Sequence, residues 1–272
     1  MDEPAHLHDP RDRSFVMHRY PPASDLTSLV RRYWIPVWDV PKGPPAEQKV
    51  LQYPVCLLSI TPEYARLIGP NRGMTTTALT GRGWAFGVMF QPAAGGLLLD
   101  GPVSEVTDGA RELDDLAPFA GLGDEIRAVM TPDPRSVSAH RRGQELVEAR
   151  LRAALPTDLD AESLLVNRIV ELVEAQSGPT TVDQLCQELS MSERSLQRLT
   201  ARRLGLTPLW LIRRRRLHDA SGRLRQQPAS LAELAAELGY ADQSHLSRDF
   251  RTATGMTPKQ FRALTDPADV GA

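Results

Sequence analysis

The residue types and spacings that point to chemistry are arginines, glutamines and serines on two short amphipathic segments near the C-terminus. In Glu193–Arg203, Arg194, Gln197 and Arg198 remain once the apolar side of Leu196 and Leu199 is subtracted. In Ser244–Thr254 and the residue before it, Gln243, Ser244, Ser247 and Arg248 remain opposite Leu246 and Phe250. Arginine offers paired donors that match guanine, and glutamine pairs with adenine, so such faces suit base edges in a major groove. A second set, Ser192, Arg202, Arg215, Arg216 and Arg251, suits phosphate: the arginines by charge, Ser192 through the free backbone donors of a helix start. Other readings stay open. Arg198 and Arg248 could bind phosphate or an acid on their own helix, and Ser192 or Ser244 could simply cap. Four consecutive residues sweep most of a helix's circumference. Of Arg213–Arg216, one or two are therefore expected at phosphates, with the others pairing with acids or covering apolar surface.

Both sets sit in a repeated unit. VDQLCQELSMSERSLQRLTARRLGLTPLWL and LAELAAELGYADQSHLSRDFRTATGMTPKQF each read as a short helix, a turn, a second helix and a GxTP stop. Leu196 aligns with Leu246, Arg198 with Arg248, Gly205 with Gly255 and Thr207-Pro208 with Thr257-Pro258, at a constant offset of fifty residues. A duplicated helix-turn-helix explains this with few assumptions. Leu185 and Leu189 should face Leu196 and Leu199. Leu234 and Leu238 should face Leu246 and Phe250. Cys186 and Ala235 are small where the paired helices approach. Ser192, Thr207-Pro208 and Ser230 with Glu233 supply starts, and Gly205, Gly239 and Gly255 supply stops. The punctuation predicts six helices: Val182–Leu189, Glu193–Arg203, Pro208–Leu224, Leu231–Leu238, Ser244–Thr254 and Pro258–Leu264.

With these residues in place, residues 181–264 resemble the DNA-binding domain of the AraC/XylS family of bacterial transcription regulators. GYADQSHLSRDFRTATGMTPKQFR, Gly239–Arg262, carries the likeness most closely. The resemblance implies two helix-turn-helix units joined by a long helix, here Pro208–Leu224, with their second helices in successive major grooves. It assigns base contacts to Arg194, Gln197, Arg198, Gln243, Ser244, Ser247 and Arg248. It also implies duplex DNA as partner, contact with RNA polymerase, and activation as the commoner outcome. One departure is Thr200, where the family usually has a large hydrophobe such as Phe250 in the second unit. RRYWIP and FGVMFQPAA resemble, more weakly, a β-rich domain found ahead of this module in some of these regulators, a divergent relative of cupin-like effector domains.

Composition sets the frame. The chain has 272 residues, 41% apolar and 24% charged, a size suited to two modest soluble domains. Residues 181–272 carry 14 basic and 10 acidic residues, net +4, while residues 111–180 are net −5. A basic module beside an acidic one is the footprint of a DNA-binding domain carried by a partner domain. The fold class expected is α+β: an N-terminal antiparallel β-barrel or sandwich, a helical linker, and an all-α C-terminal domain. The boundaries expected are a tail at 1–15, the β-rich domain at 16–135, a linker or dimerisation region at 136–178, the DNA-binding domain at 179–265 and a tail at 266–272.

In the β-rich part, short runs broken by Gly and Pro alternate. Trp34, Trp38, Tyr53, Tyr64, Trp84, Phe86 and Phe90 are numerous enough to line a pocket for a small-molecule effector, or to form ordinary core. Gln52, Arg82 and Gln91 are polar groups available to orient a ligand. In the linker, Leu146, Ala149 and Ala153 share one stripe and Leu164, Leu165, Ile169, Leu172 and Val173 another. Those stripes suit a homodimer contact or a relay between domains. No cofactor, metal or enzymatic activity is expected, because residues 20–110 contain no histidine and neither cysteine has a metal-ligand neighbour. No apolar run crosses a bilayer and no secretion signal opens the chain, so a cytoplasmic location is expected. The competing readings are an interaction protein whose module no longer reads DNA and a cupin-like enzyme fused to a DNA-binding module.

Overall fold

The structure is a computed structural model and describes residues 14–156, 158–175, 178–225 and 230–265. Most of the two expected tails, 1–13 and 266–272, lies outside the described residues; Phe15 opens the first strand. The N-terminal half contains nine strands: β1 (Phe15–Tyr20), β2 (Val30–Asp39), β3 (Ala46–Leu51), β4 (Leu57–Ile60), β5 (Ala65–Ile68), β6 (Met74–Leu79), β7 (Arg82–Trp84), β8 (Phe86–Phe90) and β9 (Ala110–Glu112). Seven form one antiparallel sheet in the order β1-β2-β8-β4-β5-β9, with β7 also on β2, and β3 pairs only with β6 as a separate ribbon. The expected barrel is corrected here. The ladder does not close, since β1 and β9 end it without meeting, and residues of the ribbon and of the large sheet line one cavity.

Strand periodicity divides the side chains. Tyr33, Ile35 and Val37 of β2, with Phe86, Val88 and Phe90 of β8, enter the main core. Arg32, Trp34, Pro36 and Trp38 point the other way, into the cavity. Two glycines make that possible. Gly87 lies opposite Trp34 and Gly83 opposite Trp38. A β-carbon on Gly87 would sit 2.0 Å from the Trp34 ring, and one on Gly83 2.4 Å from the Trp38 ring. The indoles lie flat over bare backbone, the usual meaning of a glycine inside a strand.

The core side of the sheet is covered by α1 (Ala94–Leu99), α2 (Leu122–Met130) and α3 (Val137–Ala154). The buried stripe of α3 is His140, Gly143, Val147 and Leu151. Ala149 and Ala153 are exposed and Leu146 only flanks the core, which corrects the predicted face. A histidine and a glycine on the inner face hid the period. A β-carbon on Gly143 would come 2.5 Å from the Phe86 ring, so the residue is small where helix meets sheet.

α4 (Ala161–Glu174) starts at Asp160, whose carboxylate accepts from Ser163 N at 2.7 Å. Its buried apolar residues are Val166, Ile169, Val170 and Val173, and Leu164 is 56% exposed, a rotation from the predicted stripe. These side chains join the core of the first helix-turn-helix unit. The apolar faces of α3 and α4 are thus used within the chain.

The C-terminal helices are α5 (Val182–Leu189), α6 (Glu193–Leu204), α7 (Pro208–Arg225), α8 (Leu231–Glu237), α9 (Gln243–Thr254) and α10 (Pro258–Thr265). Ser192 caps α6, and Ser230 with Glu233 closes a capping box at α8. Gly205 and Gly255 end α6 and α9 at φ +66° and +71°, where a β-carbon is disfavoured.

His18 of β1 packs against His140 of α3 with ring centroids 4.8 Å apart. His140 is fully buried; its Nε2 meets Pro134 O at 2.8 Å and its Nδ1 meets the Tyr20 hydroxyl at 2.7 Å. Because Pro134 O can only accept, Nε2 donates to it. Burial first, then His140 and Arg135, holds the His18 pKa below its ordinary 6.5. The unfolded chain therefore takes up this proton first as pH falls, and stability drops below about pH 6.5. Urea titrations of wild type and His18→Gln between pH 7 and 5 should show a decline that the substitution flattens; parallel declines would assign the loss to other groups.

Candidate nucleic-acid interface and N-terminal cavity

Each helix-turn-helix unit is built around its own core. In the first, Leu185 of α5 meets Leu196, Leu199 and Leu204 of α6, completed by α4 and by Leu211 and Ile212 of α7. In the second, Leu234, Ala235 and Leu238 meet Leu246 and Phe250, and Phe250 stacks edge-on Phe261 at 5.4 Å. Thr200, at the position of Phe250, is fully buried and its hydroxyl donates to Gln197 O at 3.3 Å. The four buried apolar side chains of α4 enlarge this core beyond the pair α5–α6, a contribution the repeat alone does not reveal.

Burying those stripes fixes what faces outward. Arg194, Gln197 and Arg198 are exposed on α6, with Ser195 half-buried. Gln243, Ser244 and Arg248 are exposed on α9, with Ser247 half-buried. Gln197 donates to Glu193 Oε1 at 2.8 Å, which orients its amide, and Arg248 Nε donates to Ser244 O at 3.4 Å. Ser192 accepts from Ser195 N at 3.3 Å and is a cap. The cap of α9 is Asp242, accepting from His245 N at 2.7 Å, so Ser244 stands in the first turn with its hydroxyl not spent on capping. The signal for Asp242 was present: an aspartate just ahead of an amphipathic run.

The phosphate set divides. Arg251 is exposed. Arg202, 54% exposed, pairs with Glu162 at the start of α4. Two assignments are corrected by geometry. Arg215 is 16% exposed; it bonds Asp219 at 2.7 Å and the Val173 and Ala175 carbonyls that end α4. Arg216 donates to Thr180 O and lies 5.4 Å over the Tyr240 ring. Both tie the long helix to its neighbours. Arg214 is buried, 4% exposed, between Glu174 and the Gln52 carbonyl. Arg213 is the exposed member of the run. Periodicity does not single it out, because Leu217 and Ala220, four and seven residues on, are buried; the helix changes partner along its length, with Leu211 and Ile212 in the first unit's core and Leu217 and Ala220 in the second's.

The cavity between sheet and ribbon measures about 190 Å³. Trp34, Trp38, Tyr53, Tyr64 and Gln52 line it. Trp84, Phe86 and Phe90 do not: they are 4%, 0% and 0% exposed in the core beneath the sheet, because their places in β7 and β8 put them on its other face. Arg82 pairs with Asp39 at 3.0 Å, and Gln91 donates to Thr27 O at 2.9 Å, so neither orients a guest. Trp38 Nε1 donates to Thr80 O at 3.2 Å, whereas Trp34 Nε1 is buried with no hydrogen-bond partner. Cys56 is buried behind the sheet, its thiol pKa pushed up to about 12 by desolvation, which keeps it protonated.

Comparison with known proteins finds two families that match parts of this chain. A family described as a helix-turn-helix domain matches residues 185–264, and one described as a domain of unknown function matches residues 18–112. The HTH-type transcriptional activator RhaR of Salmonella schwarzengrund is 30% identical over 130 residues, 47% of this chain and 46% of that protein. The matched stretch thus spans about half the length of the curated relative. ToxT of Vibrio cholerae O395 aligns over 94% of this chain and 100% of its own, at 11% identity and a TM-score of 0.39. The C-terminal domain of AraT, a response regulator of Geobacillus stearothermophilus, aligns over 38% of this chain and 88% of its own, at 24% identity and a TM-score of 0.35.

Two substitutions separate binding from scaffolding. Arg248→Ala should keep the melting temperature and weaken specific DNA binding by about 1–3 kcal/mol, the loss of one bidentate contact. Arg215→Ala should lower the melting temperature and leave the salt dependence of binding unchanged. A salt slope reduced by about one in fluorescence titrations would instead return Arg215 to the phosphate backbone.

Proposed function

We propose that this chain, which belongs through its C-terminal module to the AraC/XylS family of helix-turn-helix transcription regulators, reads two successive major grooves with α6 and α9. The observation that carries the reading is the paired exposure of Arg194, Gln197 and Arg198 on one helix and Gln243, Ser244 and Arg248 on its repeat, each held by the same cap and glycine-stop frame. Ser247 borders the second face. Arg251 and Arg213 supply phosphate contacts, and Arg202 joins them when it leaves Glu162. Neutralising phosphates supplies affinity and base edges supply selectivity.

The N-terminal half acts as a sensor. Its cavity, walled by two indoles with one buried indole N–H lacking a partner, suits a small-molecule effector. Its open sheet with a facing ribbon is a divergent version of the cupin-like plan. A homodimer would double the DNA footprint; because α3 and α4 bury their stripes internally, a second copy docks on another surface. Activation through RNA polymerase is the regulatory outcome proposed. No helix among the described residues is long and apolar enough to cross a membrane.

The test is selection of genomic fragments by purified full-length protein at near-physiological salt, against shuffled DNA. Two boxes about one helical turn apart are expected. Salt-sensitive binding with no recovered motif, from the full chain and from residues 176–272 alike, would leave a module that holds DNA without reading it.

A further inference from the structure

The β3–β6 ribbon has two faces with two occupations. Residues 48, 50 and 52, and across from them Thr75, Thr77 and Leu79, line the cavity. Strand alternation turns Leu51 and Met74, which are register partners, to the other side. There they pack into the core of the second helix-turn-helix unit with Leu217, Leu224 and Phe250. The same end of the ribbon is pinned to α7 by polar contacts. Arg214 Nε donates to Gln52 O at 2.6 Å, and Trp210 Nε1 donates to Arg72 O at 2.8 Å. Gln52 Nε2 bonds Thr75 Oγ1 at 2.8 Å, so the two strands are also tied to each other there.

The first unit meets the ribbon end only through the start of α7, where Trp210 packs against its core, and through the Arg214–Glu174 pair; its other supports lie elsewhere. Thr107 donates to Gly205 O at 3.2 Å, Ala93 N donates to Asn167 Oδ1 at 2.9 Å, and Arg203 donates to Ser163 Oγ at 2.7 Å. These contacts belong to the segments after β8 and to α4, not to the ribbon. The ribbon has no ladder bonds to the large sheet, so side-chain packing and whatever fills the cavity set the spacing between them.

We propose that the cavity takes a compact, largely apolar aromatic guest with a hydrogen-bond acceptor for Trp34 Nε1, and that the ribbon passes its presence to the second helix-turn-helix unit while the first stays fixed. This rests on the sensor reading above. Apolar walls supply the burial and Trp34 Nε1 supplies the selectivity, beside the Tyr53 hydroxyl, which is also buried without a partner, since a buried donor left unmade disfavours a guest without an acceptor. A ribbon pushed from its inner face moves Leu51 and Met74 inside a close-packed core, which repacks instead of deforming smoothly.

Quinoline, which has a ring-nitrogen acceptor, and naphthalene, which lacks one, are the probes. Tryptophan quenching should show quinoline binding about fivefold or more tighter, and Trp34→Phe should remove the difference. Amide hydrogen exchange of the full chain then reads the route without DNA. Quinoline, or filling the cavity by Ser59→Phe, should change protection severalfold in β3, β6, α8 and α9 and leave α5 and α6 unchanged. In Leu51→Ala/Met74→Ala the change should stop at the ribbon. Ser59→Leu and Met74→Thr serve if the bulkier or double changes do not fold. Quinoline binding with no change in α8 and α9, or a change that persists in both ribbon variants, overturns the ribbon route and leaves the sensor reading intact. Equal binding of the two probes overturns the acceptor requirement. Failure of both probes to quench overturns the guest and the sensor reading together.

Discussion

Arg214 is a cation taken almost wholly out of water, and three parts of the molecule converge to compensate it. Its guanidinium reaches Glu174 at the end of α4, the Gln52 carbonyl beside the ribbon, and the face of the Tyr53 ring at 4.1 Å. Glu174 also receives Arg31 from β2 at 3.1 Å. Burial alone pulls the Arg214 pKa down and Glu174 pulls it back. Removing one partner of such a buried pair costs about 3–5 kcal/mol because the remaining charge has nowhere to go. The pair adds little net stability over apolar side chains of equal volume. What it adds is geometry: its Nε and Nη1 find the Gln52 carbonyl and Glu174 together only when sheet, linker and long helix are placed as they are here.

That placement gives the neighbouring arginines their roles. With Arg214 turned inward, Arg215 falls on the carbonyl end of α4, where a cation satisfies orphan acceptors and the helix dipole together. Arg216 falls on Thr180 O and the Tyr240 ring. A run that reads as a basic patch is mostly internal fastening, and its exposed member is Arg213. The acid at the other end of α4, Glu162, occupies Arg202 beside the exposed face of α6. One linker helix thus contributes a hydrophobic stripe, a half-buried anion, a set of carbonyls and a surface anion to the module that follows it.

The helical third was legible in detail. Cap residues, glycine stops and the fifty-residue repeat act over a few positions, so Ser192, Gly205, Ser230, Glu233 and Gly255 mark their boundaries without tertiary help. The amphipathic stripes then decide which arginines and glutamines of α6 and α9 face out. The linker helices were legible as helices but not by face. In α3 the inner positions are His140 and Gly143, types that carry no apolar signal and are chosen for a hydrogen bond and a close approach.

Local pattern therefore determined the two helix-turn-helix units, which of their faces point outward and the β-prone character of the first half. Tertiary structure decided the rest. Whether an aromatic lines a cavity or fills a core depends on which strand it occupies and on parity within it: Trp34 and Trp38 go to the cavity while Trp84, Phe86 and Phe90 go to the core. Whether an arginine meets a phosphate or a carbonyl depends on what packs against its helix, as Arg215 shows. Both are properties of pairing between distant segments, and a single sequence states the pairing only once the chain has folded.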